Sequence, residues 1–210
     1  VITLCNLYLD RTVDFVEEGI DAKRAEVRFL RALNYYYLLD LYGNVPFVVS
    51  SKDKDKPKQI MRPELFKFVE DELLLALNDL APAGQRISYY RVDKAAAWLL
   101  LSRLYLNAPV YLAKSDAECK SYMDKAVLYS DSVINSSYEL ASKFQYLFMG
   151  DNDCTSAVND AYQEIILPIA QDGQHIRSYG GSTFLIAATH TSEMASWGTT
   201  DSWKCIRTRK

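Results

Sequence analysis

Three aromatic residues near the carboxyl end, Tyr179, Trp197 and Trp203, stand with Asp201, Lys204 and Arg207 in a stretch rich in Gly, Ser and Thr. Flat apolar rings pack against the C–H-rich face of a pyranose, and charged groups around them hydrogen-bond its hydroxyls. Such a set could recognise a sugar, with stacking for affinity and the polar rim for specificity. The same aromatics also suit a second role, filling the core of an irregular region, and both roles stay open. Tyr89 and Tyr90 form a weaker platform of the same kind.

Residue types that make and break bonds are present, but their spacing does not fit the work. His190-Thr191-Ser192-Glu193 holds a base and a hydroxyl, yet adjacent residues on one strand or loop rarely present their side chains to each other. Asp151, Asp153 and Thr155 follow the opening of a calcium loop, but Ser156 stands where the glycine belongs and Tyr162 where the bidentate glutamate belongs. Glu70, Asp71 and Glu72 share a segment whose other face is leucine-rich, which predicts solvated charges and no carboxylate pair for glycoside hydrolysis. Gly180-Gly181-Ser182 lacks the lysine of a phosphate-binding loop, and neither HExxH nor GxSxG occurs. Cys5, Cys119, Cys154 and Cys205 form no CxxC, and His175 and His190 stand apart from them, so no zinc site is expected. Leu4 is too large for the position before a lipidated cysteine, so Cys5 is expected to be a buried thiol. The expectation is a binding protein with no catalytic residues, no metal and no cofactor.

These residues need a scaffold, and the chain is long enough to supply one. At 210 residues, roughly 70% of the unfolded surface can be buried. The 49% hydrophobic and 24% charged content is ordinary for a globular domain. The net charge of −3 is spread among mixed signs, which argues against nucleic acid or an anionic membrane surface as partner. The compact basic patches are Lys52–Lys58 and the terminal Arg207–Lys210; Asp53 and Asp55 interrupt the first, so it reads as a solvated loop. No run of 18 apolar residues suggests a membrane-spanning helix. The 15 tyrosines serve helix packing and sugar stacking equally well.

Four segments carry apolar residues at helical spacing. The first, about Ala22 to Tyr42, places Phe29, Leu33, Tyr36 or Tyr37, and Leu41 on one side, with Arg24, Arg28 and Arg31 around the rest. Gly43 and Pro46 end it. The second begins near Pro63, at home in a first turn, and steps through Phe66, Val69, Leu73, Leu77 and Leu80 until Pro82. The third runs from about Val92 to Ala108 and stops at Pro109. The fourth runs from about Asp116 to Ser136, with Met123, Ala126, Val127, Ser130, Val133 and Ile134 in register. These make two helix pairs, and since an isolated pair cannot cover its apolar face, such pairs stack. In the third segment Trp98, Leu101, Ser102 and Tyr105 have the order and spacing of a tetratricopeptide A helix, where the small residue lets a neighbour pass close. Ala126, Ser130 and Val133 stand at the separations of its B helix. Beyond residue 140 the pattern is irregular, with Glu164–Ile169 reading as a short strand.

Residues 24–47 closely resemble the hallmark of the SusD/RagB family. Its pattern, roughly A-E-x-R-F-L-R-A-x-x-Y-x-x-L-x-x-x-Y-G-x-V-P, is met from Ala25, Glu26 and Arg28 through Tyr42, Gly43, Val45 and Pro46. Residues 91–106 resemble the family's second tetratricopeptide helix, and Glu164-Ile165-Ile166-Leu167 its E-I-I-F strand. Trp203 to Thr208 resembles a W-x-G-x-R segment, with Cys205 in place of the glycine.

The resemblance implies a mostly α fold of tetratricopeptide-like stacked helix pairs, an α-α superhelix, with an irregular, slightly β carboxyl-terminal part. Residues 1–140 would form the scaffold and 141–210 the irregular start of a ligand-binding subdomain. Family members are longer at both ends, so a lipid anchor would lie upstream and give the only membrane association. The resemblance further implies non-catalytic binding of an oligosaccharide or other glycan on the extracellular face of the outer membrane. The glycan would then pass to a SusC-like TonB-dependent transporter. A peptide-binding member of the same family and a tetratricopeptide protein–protein adaptor are the alternatives. The arginines of the hallmark would brace neighbouring loops and helices.

Overall fold

The computed structural model describes residues 1–53, 55–170, 188–189 and 202–206. They fall into two compact units. One holds Val1–Leu140 with Tyr162–Leu167; the other holds Ala141–Ala161 with the described part of Pro168–Lys210.

The first unit is built from α1 (Ile2–Arg11), α2 (Ile20–Tyr42), β1 (Val45–Phe47), β2 (Lys58–Ile60), α3 (Arg62–Ala76), α4 (Lys94–Leu106), α5 (Ala108–Leu112) and α6 (Lys120–Ile134). Helix α2 buries Ala25, Phe29, Ala32, Tyr36 and Leu39, which step by three and four, together with Tyr35. Leu41 and Tyr37, expected on that face, are exposed. Leu41 follows Leu39 by two residues, about 200° around a helix of 100° per residue, and therefore points away. Arg31, expected on the open side, is buried. The helix ends at Gly43, whose φ of 75° is one that a side chain disfavours, and its N–H donates to the Leu39 carbonyl. The chain then pairs β1 antiparallel to β2, Val45 opposite Ile60 and Phe47 opposite Lys58.

Helix α3 starts with Pro63 in its first turn, as its missing N–H permits. Asn44 from the end of α2 accepts the Arg62 N–H at 2.8 Å, and Arg28 on α2 meets Glu72 on α3. The end of α2 thus lies by the start of α3, and the two run antiparallel. Regular α-helix stops at Ala76, short of Pro82, although Leu80 is still buried.

Helix α4 is apolar around most of its circumference, burying Ala95, Ala96, Ala97, Leu100, Leu101, Leu104 and Tyr105. That marks it as a central helix, covered by α6 on one side and α3 on another. Ser102 donates to the Ala126 carbonyl at 3.0 Å and lies 2.7 Å from the Ser130 hydroxyl. The tetratricopeptide-like quartet thus places its small residue where α6 crosses. At the far end Tyr105 stacks on Tyr122, so this pair is antiparallel too. Pro109 does not stop the helical run: the break falls at Asn107, and Pro109 lies in the first turn of α5, where proline is tolerated. On α6 only Ala126 is fully buried, while Val127 and Ile134, expected in register, are exposed. The fold is a stack of antiparallel helix pairs of the tetratricopeptide kind.

Asp93 caps α4, its Oδ1 accepting from the Ala95 and Ala96 N–H groups. Its Oδ2 accepts from the Gly84 N–H at 2.8 Å and the Tyr138 hydroxyl at 2.7 Å. One buried carboxylate therefore ties the preceding loop, the helix start and the segment after α6. Asp93→Ala should cost about 2 kcal/mol, a cap plus stranded donors, read as a lower urea midpoint with unchanged slope. Asp93→Asn should recover part of the loss.

The apolar run Glu164–Ile169, expected as a strand, is turn and coil. The Ile165 and Ile166 carbonyls accept from the Arg86 guanidinium at 3.4 and 2.9 Å, where a strand would offer a neighbouring ladder. Pro168 lacks an N–H with which to extend one. Ile166 and Leu167 still pack on the helical core.

In the second unit Asn159 is the buried polar peg. Its amide donates to the Tyr146 carbonyl at 3.0 Å and to Asp151 at 3.1 Å, and its oxygen accepts the Ala161 N–H at 2.9 Å. Near the carboxyl end the Cys205 and Ile206 N–H groups both donate to the Ala188 carbonyl.

Candidate functional site

The carboxylates expected to be solvated on α3 divide three ways. Asp71 is exposed, whereas Glu70 and Glu72 are buried, and each has a partner. Glu72 accepts from Arg28 at 2.9 Å and from Arg31 at 2.6 and 3.0 Å. Glu70 accepts from the Tyr105 hydroxyl at 2.8 Å, from Lys67 at 3.2 Å and from Lys125 at 3.4 Å. Burial raises the Tyr105 pKa, and its bond to Glu70 raises it further. Tyr111 is shifted the same way by burial and by its 2.7 Å bond to Asp40. Both phenols stay neutral donors at any ordinary pH. A carboxylate held by cations and a phenol locks the scaffold. The hallmark arginines act as braces, because Arg24 donates to the Leu9 carbonyl and Thr12 hydroxyl, and Arg31 to Asn6 and Val49 as well as Glu72.

Asp151 and Asp153 are engaged locally. Asp153 accepts from the Thr155 N–H and hydroxyl, and Asp151 from Asn159 and Ser156, which holds both carboxyls below the usual range. Among the described residues no group of His, Cys, Asp and Glu is placed to hold a metal, and no helix is long and apolar enough to cross a membrane. Cys5 is buried, and burial raises its pKa, so the thiol is poorly nucleophilic.

Of the residues singled out for sugar contact, Tyr179, Trp197, Asp201 and Arg207 lie outside the described residues, as does His190-Thr191-Ser192-Glu193. Trp203 and Lys204 are described. Trp203 is 43% exposed. Lys204, next to Trp203, has φ 52°, a left-handed backbone conformation uncommon for a non-glycine residue. Of the weaker pair, Tyr89 lies under the Arg86 guanidinium at 5.0 Å and edge-on to Tyr90 at 5.2 Å, and Tyr90 is exposed. Arg86 also bonds the 165–166 carbonyls, so this corner braces the scaffold as well as exposing one ring.

Stacked antiparallel helix pairs, locked by buried ion pairs such as Arg31–Glu72, define a scaffold protein of the tetratricopeptide class. Comparison with known proteins narrows that class. No protein-family model matches the chain. The starch-binding protein SusD of Bacteroides thetaiotaomicron is 43% identical over 208 residues, covering 99% of this chain and 36% of the relative. A SusD superfamily protein from Parabacteroides distasonis superposes with a TM-score of 0.61 at 29% identity, over 70% of this chain and 32% of that one. A structure solved with a xylogluco-oligosaccharide gives a TM-score of 0.67 at 23% identity, over 79% of this chain and 32% of that one, a likeness of fold. The chain belongs to the SusD-like family, and it spans about a third of the length of these relatives.

Proposed function

We propose that this protein binds oligosaccharide at the extracellular face of the outer membrane, without cleaving it, and delivers it to a SusC-like TonB-dependent transporter. The observation that carries this reading is the 43% identity, across 99% of the chain, with a protein named for binding starch. The buried carboxylates Glu70 and Glu72 are committed to ion pairs, which supports the non-catalytic part, and Trp203, 43% exposed, would contribute to a stacking platform. Tyr179 and Trp197 would add further faces, with Asp201, Lys204 and Arg207 supplying the hydrogen-bonding rim.

An array of neutral and acidic glycans and peptides, probed with the full-length protein, tests this. Binding of an α-glucan such as a malto-oligosaccharide is expected. Binding of peptides alone would overturn it. On the best glycan, Trp203→Ala should weaken affinity about tenfold, or roughly 1.4 kcal/mol. Trp203→Phe should keep most of it. Unchanged affinity in Trp203→Ala would remove that residue from the platform.

A further inference from the structure

The chain enters the second unit after Leu140, leaves it at Ala161 and re-enters it at Pro168, so Tyr162–Leu167 is a short return to the helical unit. With that return undone, residues 141–210 would be joined through the chain to the helical unit at Leu140 alone.

The returning segment is docked by its carbonyls and two side chains. The Ile165 and Ile166 carbonyls accept from Arg86 Nη1 at 3.4 and 2.9 Å, and the Gln163 carbonyl accepts the Glu139 N–H at 3.2 Å. Ile166 and Leu167 pack on the helical core, yet every residue from 162 to 167 is only half-buried. Beyond the single 3-10 turn Ala161–Gln163 it has no regular structure. A segment with little buried surface and no ladder of its own opens more cheaply than the helices beneath it.

Arg86 is held far more firmly than the segment it grips. Its guanidinium lies over the Tyr89 ring at 5.0 Å and the Tyr138 ring at 5.4 Å. On one side of it along the chain, the Gly84 N–H donates to Asp93, the carboxylate that also accepts the Tyr138 hydroxyl. On the other side, Arg91 pairs with Glu26 of α2 at 2.6 Å. Both ends of the loop and one of the rings are thus fixed to the helices. The weak joint is the one between the guanidinium and the carbonyls.

We propose that Tyr162–Leu167 is a releasable strap, locked by Arg86, that opens without unfolding the helix pairs and changes the second unit from doubly to singly tethered. On the reading proposed above, the unit so freed carries Trp203, and a carrier that hands on its cargo uses such freedom. The strap is measured with no ligand present, so its failure and that of the glycan reading are told apart.

Native-state amide exchange and limited proteolysis of the whole chain test it. The Glu139 N–H reports strap closure directly, and a glutamyl endopeptidase needs the strap open to cut after Glu164. Cleavage after Glu18, in the exposed loop before α2, is the internal reference. Exchange at Glu139 is expected to depend weakly on low urea, because opening exposes little surface, whereas α4 amides follow global unfolding. Arg86→Gln should speed Glu139 exchange and Glu164 cleavage about thirtyfold, the effect of losing charge-assisted bonds. Arg86→Lys, which keeps the charge without the planar fork, should lie between. Ile166→Ala loosens the strap from its own side and should act in the same direction, so the test survives an Arg86→Gln protein that fails to fold. A Glu139 amide that exchanges only together with those of α4, or rates untouched by Arg86→Gln and Ile166→Ala, would overturn the proposal.

Discussion

Glu72→Ala is expected to remove about 3–5 kcal/mol of folding free energy, the cost of stranding a buried charge. The Arg31 side chain is only 6% exposed and the Glu72 side chain 9%. With the carboxylate gone, three guanidinium N–H bonds from Arg28 and Arg31 lose their acceptor in the interior. Arg31 also reaches Asn6 on α1 and the Val49 carbonyl after β1, so the loss spreads over the α1–α2–α3 junction. A domain stable by roughly 5–15 kcal/mol would be left marginal. Urea unfolding followed by circular dichroism measures this directly. Arg31→Met combined with Glu72→Leu should regain most of the loss, because an apolar pair of similar volume needs no desolvation of charge. A Glu72→Ala loss below about 1 kcal/mol would place the pair in water, at the strength of a surface ion pair.

Phe66→Ala should cost a comparable 3–5 kcal/mol, the range for deleting a buried aromatic ring. Phe66 lies on α3 and is fully buried. Its ring meets Tyr122 of α6 edge-on at 5.3 Å and approaches Tyr105 of α4 and Tyr111 of α5 at 6.4 and 6.3 Å. It is the point where the α2–α3 pair meets the α4–α6 pair. The cavity left by alanine falls on the seam between the two, so amide exchange should speed up in α6 as well as α3. Phe66→Leu should cost under about 1.5 kcal/mol, having kept most of the volume. Val127→Ala, on the exposed face of α6, should stay within about 0.5 kcal/mol.

The helix pairs were legible because their signals are local. Apolar spacing marks α2 and α3, a glycine needing positive φ marks the exit of α2, and Trp98, Leu101, Ser102 and Tyr105 mark α4. What local spacing cannot show is a partner far along the chain. Glu72 reads as a surface acid until Arg31, 41 residues earlier, folds against it, and Glu70 until Tyr105, 35 residues later, does so. The same blindness turned Arg31 into a solvent-side residue and made Glu164–Ile169 a strand, since its acceptors are met by Arg86 from 79 and 80 residues away. Pro109 is ambiguous in the sequence because proline suits a first helical turn as well as it follows a last one. For the candidate site, residue type alone marks Trp203 and Lys204, and nothing in their spacing foretells a part-exposed indole beside a residue of positive φ.

As proposed, the helical scaffold holds a glycan and leaves it whole. Titrating a malto-oligosaccharide into the full-length protein in a calorimeter tests both halves in one trace. The account predicts heats that saturate and return to baseline after each injection. A flat trace, or power that stays displaced as bonds are hydrolysed, would contradict it.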